Sequence, residues 1–454
     1  MLSSDDNARL TQVGPGRPMG ELLRRYWMPI AATAELDDHP IKPVRLLGED
    51  LVLFKTPGGS YGLIDRQCPH RGADLAHGMV EDCGVRCNYH GWLFDHEGRC
   101  RSQPFEDAAN PNARFKDRVR ISGYSVQANA GLLWAYLGPA PAPLVPNWRN
   151  FHRKGYKHVC FAQMPCNWLQ AMENSFDQVH NEWMHDKWSF YTRDGAVPAD
   201  RWQIADVVHR EFDYGWTAEV QYVGRPDTFP DRVVLWPNYN FVHLFEWYVP
   251  IDDHNTLLVF WHNVPFRAEA PFVQERIPYW TGRIADPQTG RLLVRPPRNQ
   301  DVLVWIGQGS VADRTREHLA TSDAGIIRFR RKLMQQMAVV AAGGEPMAVV
   351  RDPAKYFLML PEPVPSGPDR DGLPGALVTP ADIRTVGNLA GFPDEIAADI
   401  ERISTERGEQ ALRAQELKQM GWKVGGANFN RTRHFSALER HGLAGAGPMP
   451  ASAE

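Results

Sequence analysis

Cys68-Pro69-His70-Arg71-Gly72 and Cys87-Asn88-Tyr89-His90-Gly91-Trp92 decide how the first part of this chain folds. The spacing is Cys-x-His, sixteen residues, then Cys-x-x-His. Two thiolates and two imidazoles can hold one structural zinc ion tetrahedrally. They can equally hold a [2Fe–2S] cluster, with both thiolates on one iron and both imidazoles on the other. Gly72 and Gly91 follow directly, where a tight turn presents backbone amides toward the metal group. Cys83 has no histidine at ligand spacing and is read as a bystander.

Outward from these loops the texture is that of short strands. Val44–Leu47, Leu51–Phe54 and Tyr61–Ile64 are broken by Gly48-Glu49-Asp50 and Pro57-Gly58-Gly59-Ser60, and Gly91–Phe94 and Gly131–Leu137 continue the pattern. The run Gly138-Pro139-Ala140-Pro141-Ala142-Pro143, ending near Pro146, is stiff and poor in hydrogen-bond donors, as an interdomain linker is. Beyond it, residues 167–185 read as a helix with Asn167 as N-cap and Met172, Phe176, Val179 and Trp183 on one face. Residues 232–264 read as aromatic strands with a turn at Asp252–Asn255, and 313–341 and 391–421 as helices. Pro363–Pro368 reads as a loop. The expected organisation is α+β: an all-β domain over 1–146, a sheet-and-helix domain over 147–440 and a flexible tail over 441–454.

The helix at 167–185 carries a second constellation, Asn174-x-x-Asp177-x-x-His180-x-x-x-x-His185. Two imidazoles and a carboxylate facing one point leave open positions on a ferrous ion, the arrangement that oxygen activation needs. Five residues on an ideal α-helix subtend about 140°, so both histidines meet one metal only if the helix ends or bulges between them.

Composition narrows the function classes. The 454 residues exceed one ordinary core, and 43% hydrophobic with 23% charged residues is the balance of a globular protein. A net charge of −4 argues against nucleic acid and anionic membrane surfaces as partners. No apolar stretch reaches the ~18 residues of a membrane helix, and the acidic start Met1-Leu2-Ser3-Ser4-Asp5-Asp6 is no secretory signal, so a cytoplasmic location is expected. Fifteen Trp, thirteen Tyr and twenty Phe suffice to line a pocket for a flat apolar ligand, or simply to fill cores. The strands around Trp236, Tyr239, Phe241, His243, Phe245 and Trp247 alternate as a pocket wall can, although most such residues serve as core.

Taken together, the C-P-H-R-G and C-x-Y-H-G-W loops followed by N-x-x-D-x-x-H-x-x-x-x-H resemble the oxygenase (α) component of Rieske non-heme iron aromatic oxygenases. The resemblance covers most of residues 10–340 and includes Gly14-Pro15-Gly16, Arg24–Trp27 and Cys166–Asn174. It is nearest to the phthalate-dioxygenase-like branch, which includes aryl-ether O-demethylases. It implies a Rieske domain followed by a catalytic domain whose antiparallel sheet grips helices. By the resemblance, Cys68, His70, Cys87 and His90 hold the [2Fe–2S] cluster. His180, His185 and the downstream Asp301 hold the mononuclear Fe(II), with Asp313 and Asp323 as fallbacks for the carboxylate. Asp177 is the electron-transfer bridge from His180 to His70 or His90 of a neighbouring chain, and Asn174 belongs to the same site.

The implied partners are O2, a small carboxylated aromatic substrate, and a separate NAD(P)H-dependent reductase or ferredoxin, with the chain as a homotrimer. The implied activity is aromatic hydroxylation or O-demethylation. Ring cis-dihydroxylation is the nearest alternative. A Rieske electron-transfer protein without oxygenase chemistry and a zinc-stabilised interaction protein are the readings from other classes.

Overall fold

The computed structural model describes residues 2–264, 273–361, 389–406 and 446–448. The Pro363–Pro368 loop and most of the 441–454 tail lie outside the described residues, as does 407–421 of the expected C-terminal helices. Asp394–Glu406 is helical.

The strand pattern of the first part closes into two antiparallel sheets. Six strands run in the order Met28–Ala32, Leu132–Tyr136, Gly123–Asn129, Tyr61–Asp65, Glu49–Lys55 and Ile41–Leu46. A four-stranded meander follows the chain through Met79–Glu81, Gly84–Arg86, Leu93–Phe94 and Cys100–Ser102. Val52, Phe54, Ile64, Leu75, Val85 and Phe94 form a small core that also encloses Cys68, Cys87 and Cys100. The Cys87–Trp92 loop therefore starts from a strand end and rests on buried apolar side chains. Cys83 lies exposed.

Residues 2–27 bridge this β unit and the second one, with Arg24 Nη2 donating to Glu49 Oε1 (3.1 Å) on the first side. Leu2 N–H donates to Arg314 O (3.1 Å), Tyr26 Oη to Met347 O (2.8 Å), and Trp236 Nε1 to Tyr26 Oη (2.7 Å).

The second unit is built on an eight-stranded sheet. Its order is Ile204–Phe212, Gly215–Tyr222, Thr228–Leu235, Tyr239–Phe241, Phe245–Pro250, Thr256–Val264, Tyr156–Met164 and Tyr279–Thr281, antiparallel except for the last pair. Alternation divides the central strands into two unlike faces. Tyr239, Phe241, Phe245 and Trp247 point to one side and stack on each other, on Trp134, and on Trp148 and Phe151 beyond the Pro-rich run. These rings are core. Asn240, Glu246 and Tyr248 point to the other side, toward the helices.

Those helices are Trp168–Glu173 and Pro297–Gly307. The Asn167 side chain accepts from Leu169 N–H as the N-cap (3.1 Å), and Gln170 Nε2 donates to Trp305 O (2.7 Å) and Gly309 O (2.8 Å), tying one helix to the end of the other. The continuous helix expected over 167–185 is not what forms. A 3₁₀ turn at Asn174–Phe176 ends the first helix, Asp177 is extended (φ −106°, ψ 100°), and Asn181–Trp188 is a π-helix. Met172 and Phe176 are buried as expected, but Trp183 is 60% exposed because the π-helix turns it outward. The helix expected over 313–341 starts only at Ala324. Upstream, the Asp313 carboxylate captures Thr315 N–H and Oγ1, and Asp323 captures Ala320 N–H, which favours turns over helix.

Beneath the helices lies a largely buried charge network. Glu173 accepts from Arg314 Nη2 (2.8 Å) and Arg330 Nε (2.6 Å), and Arg330 Nη1 also meets Glu317 (2.6 Å). Burial pushes the Glu173 carboxyl up, but the two guanidinium charges outweigh it and hold the group below the ordinary range. A depressed folded-state pKa contributes stability that is present above the unfolded value and lost as pH falls through the folded one. Glu173→Gln strands two buried arginines and is expected to cost about 3–5 kcal/mol. A urea titration of both proteins checks this, and the difference between them should shrink as the pH is lowered into the acid range.

Candidate metal centres

The two Cys–His loops share one backbone construction. Cys68 N–H donates to Ala73 O and Gly72 N–H to Cys68 O (both 2.8 Å). In the second loop Cys87 N–H donates to Trp92 O (2.8 Å) and Gly91 N–H to Cys87 O (3.0 Å). Each turn closes with a glycine in the left-handed region, Gly72 at φ +72° and Gly91 at φ +74°, where a side chain would be strained. Cys68 and Cys87 are buried, whereas His70 and His90 are exposed. The imidazole rings lie 4.4 Å apart, and His70 stacks on Trp92 at 4.5 Å.

This layering fits a dinuclear cluster, with thiolates inside and imidazoles at the surface. Among the described residues, a group of three His/Cys/Asp/Glu side chains with mutually close donor atoms lies at the second centre.

That second centre is His180, His185 and Asp301, with one donor atom from each lying within 4.8 Å of the others. The π-helix explains how histidines five apart can meet. Its i→i+5 bonding brings residue i+5 back above residue i, which an α-helix does not do. His185 Nε2 lies 3.1 Å and His180 Nε2 3.5 Å from Asp301 Oδ1, so both imidazoles present the same nitrogen. Their other nitrogens face groups that can set the tautomer: His185 Nδ1 is 2.8 Å from Gln300 Oε1, and His180 Nδ1 is buried without a partner, 3.9 Å from Asp177 Oδ2. Asn174 Nδ2 reaches Asp301 Oδ1 at 3.3 Å.

The protonation states suit a metal. Burial pulls His180 down to about 3, which keeps the imidazole neutral. Burial pushes Asp301 up, but the His185 and Arg298 charges outweigh it and hold the carboxylate well below its ordinary value. A neutral imidazole and an ionised carboxylate are the forms that ligate.

Asp177 departs from the expected arrangement. It does not sit one helical turn before His180; its Oδ1 instead accepts from Val179 N–H (3.0 Å) and His180 N–H (3.3 Å), capping the segment that carries the histidines. Its carboxylate remains 34% exposed, so one face is available to a group from outside the chain. Neither fallback carboxylate joins the site, since Asp313 and Asp323 are engaged in local turns.

Two residues that sequence reading passed over complete the surroundings. Arg298 donates through Nη1 to Asp301 Oδ2 (3.0 Å) and lies through Nη2 3.0 Å from Glu246 Oε2. It thus occupies one carboxylate oxygen of Asp301 and leaves the other facing the histidines. Arg298 stands three residues before Asp301, one turn of a helix, and Glu246 is a charged residue inside an apolar strand. Both were visible signals.

The comparisons agree with this layout. The Rieske [2Fe-2S] domain family matches residues 26–119, and the family described as LigXa C-terminal domain like matches 271–355. The chain is 49% identical over 362 residues to the 5,5'-dehydrodivanillate O-demethylase oxygenase subunit of Sphingobium sp. (strain NBRC 103272 / SYK-6), covering 78% of this chain and 85% of that one. It is 32% identical to the phenoxybenzoate dioxygenase subunit alpha of Ectopseudomonas oleovorans, covering 75% and 87% of the two chains. It is 28% identical to the phthalate 4,5-dioxygenase oxygenase subunit of Pseudomonas putida, covering 76% and 88%. The solved structure of Pseudomonas putida CBB5 NdmA, 20% identical, superposes with a TM-score of 0.51 over 72% of this chain and 94% of that one, and so shares the fold. Among the described residues no helix is long and apolar enough to cross a membrane. With two metal centres laid out in this order and relatives matched over most of their length, the chain belongs to the Rieske non-heme iron aromatic oxygenases, as an oxygenase component that uses a [2Fe–2S] cluster and a mononuclear iron.

Proposed function

We propose that the protein O-demethylates an aryl methyl ether, with 5,5'-dehydrodivanillate or a related methoxylated phenolic acid as substrate. The observation that carries this reading is the 49% identity, over 85% of its length, to an oxygenase subunit with that activity, against 28–32% for the dioxygenase subunits. The overall reaction is ArOCH₃ + O₂ + NAD(P)H + H⁺ → ArOH + CH₂O + H₂O + NAD(P)⁺. Oxygen inserted into a methyl C–H bond gives a hemiacetal, which collapses to the phenol and formaldehyde.

The chain is proposed to comprise a cluster domain over 1–146, a catalytic domain over 147–440 and a tail over 441–454. It would work in the cytoplasm as a homotrimer supplied by a separate NAD(P)H-dependent reductase or ferredoxin. Cys68, Cys87, His70 and His90 would hold the cluster, and His180, His185 and Asp301 the iron. The bound iron supplies O2 activation. Gln300 holds His185 with Nε2 toward the donor set, and Arg298 holds one oxygen of Asp301 away from it. Asp177 Oδ2 faces His180 Nδ1 at 3.9 Å on one side. On the other it meets His70 or His90 of a neighbouring chain, forming the bridge along which electrons cross the subunit boundary. The exposure of the cluster imidazoles and of one side of Asp177 supports a bridge between chains.

Turnover of 5,5'-dehydrodivanillate with reductase and NAD(P)H is expected to release one formaldehyde per O2 consumed. A cis-dihydrodiol without formaldehyde would assign ring dihydroxylation instead.

A further inference from the structure

The sheet face that looks toward Arg298 and Asp301 is polar, and it holds buried atoms with no partner among the described residues. These include His243 Nε2, in the turn between two strands, and His262 Nε2, on the strand Thr256–Val264. Phe260 pairs directly with Glu246, and His262, two residues on, shares that face, on the Arg298 side of the sheet. The His262 ring lies flat against His158 at 4.2 Å. His158 Nδ1 in turn accepts from Trp280 Nε1 at 3.2 Å, so that ring is fixed from behind.

A buried polar atom without a partner carries an uncompensated desolvation cost, which a core position would shed by substitution. Two of them within reach of the Arg298 charge, which also holds Asp301, are what a ligand subsite retains. Burial, with the Arg298 charge added, holds His243 at about 4 and His262 well below the ordinary histidine value, so both imidazoles are neutral.

The charge inventory selects the ligand. Arg298 is committed to Asp301 and Glu246, and Arg232 meets Asp231 at 2.6 Å. A carboxylate brought to this face would find two anions, Asp301 and Glu246, and, among the described residues, no uncommitted cation. A neutral hydroxyl has no such cost, and it can donate to an imidazole nitrogen or accept from an imidazole N–H, so it suits either tautomer.

We propose that His243 and His262 form the subsite for a neutral hydroxyl of the aromatic substrate, the phenol beside the methoxy group that is attacked. This rests on the O-demethylase reading. It makes the pair specificity-determining: they position the ring through its phenol, while the substrate's carboxylate is held elsewhere.

The test is anaerobic calorimetric binding of 5,5'-dehydrodivanillate to the holoprotein without reductase. The comparison ligand is the analogue in which hydrogen replaces both phenolic hydroxyls. Wild type is expected to bind the phenol about 10–100-fold more tightly, the equivalent of the unpaired-group cost above. His262→Phe and His243→Phe should each bring that ratio toward one, leave binding of the deoxy analogue little changed and raise KM more than they lower kcat. His262→Gln, which keeps a hydrogen-bonding head, should restore part of the ratio, and an unchanged red-brown spectrum reports folding.

A wild-type ratio near one overturns the subsite without any variant. So does a phenylalanine variant that keeps the full ratio; in both cases continued formaldehyde release leaves the O-demethylase reading standing. Wild type that neither binds the phenol nor releases formaldehyde from it overturns both.

Discussion

Asp177→Asn is expected to retain both metals and lose at least about 100-fold in reductase-driven turnover, the upper end of what removing an outer-shell partner costs. The substitution separates the two roles of this side chain. Asparagine caps a helical segment as well as aspartate does, so the two N–H groups now held by Oδ1 stay satisfied and the π-helix should stand. What is lost is the charge that faces His180 Nδ1 and the exposed oxygen offered to a neighbouring chain. Stopped-flow reduction of the cluster should be normal, while oxidation of the reduced cluster in the presence of O2 and substrate should slow by the same factor as turnover. Normal turnover would make Asp177 a cap and nothing more.

Asp301→Asn is expected to empty the mononuclear site, with iron affinity falling by 100-fold or more. The cost arises from two directions. The amide removes the anion from between the two imidazoles, and it leaves Arg298, mostly buried and now balanced only by Glu246, as a cation beside the place where the metal ion binds. The cluster lies in a different sheet system, so acid-labile sulfide and visible absorbance should be unaffected. Iron per chain by elemental analysis decides it: full iron in the variant would remove Asp301 from the ligand set.

The two Cys–His loops were legible because cluster chemistry constrains residue type, spacing and the trailing glycines together, all within a stretch of 25 residues (68–92). The histidine pair was legible as a pair, and the need for an irregularity between its members followed from helix geometry alone. Its form was not legible, because whether the chain breaks at Asp177 or bulges later depends on tertiary contacts such as Gln170 to Trp305 and Ser175 near Tyr248.

The sheet was only half legible, for a different reason. Both faces of Tyr239–Phe241 and Phe245–Pro250 are buried, so alternation shows that two faces exist without showing which one looks toward the iron ligands. The aromatic residues were read as a possible pocket wall with most of them serving as core, and the structure packs them as core against Trp134, Trp148 and Phe151. The better guide was the cost of burying Asn240 and Glu246, which is met only where a polar site receives them. Arg298 belongs to the same lesson, since a buried arginine one turn from a candidate ligand has a partner to find.

The most direct test of the residue assignment is iron, zinc and acid-labile sulfide per chain in wild type and His180→Ala, both purified anaerobically. The account predicts about three irons and two sulfides in wild type, and about two irons with both sulfides retained in the variant. Loss of sulfide and colour in His180→Ala, or one zinc without sulfide in wild type, would contradict it.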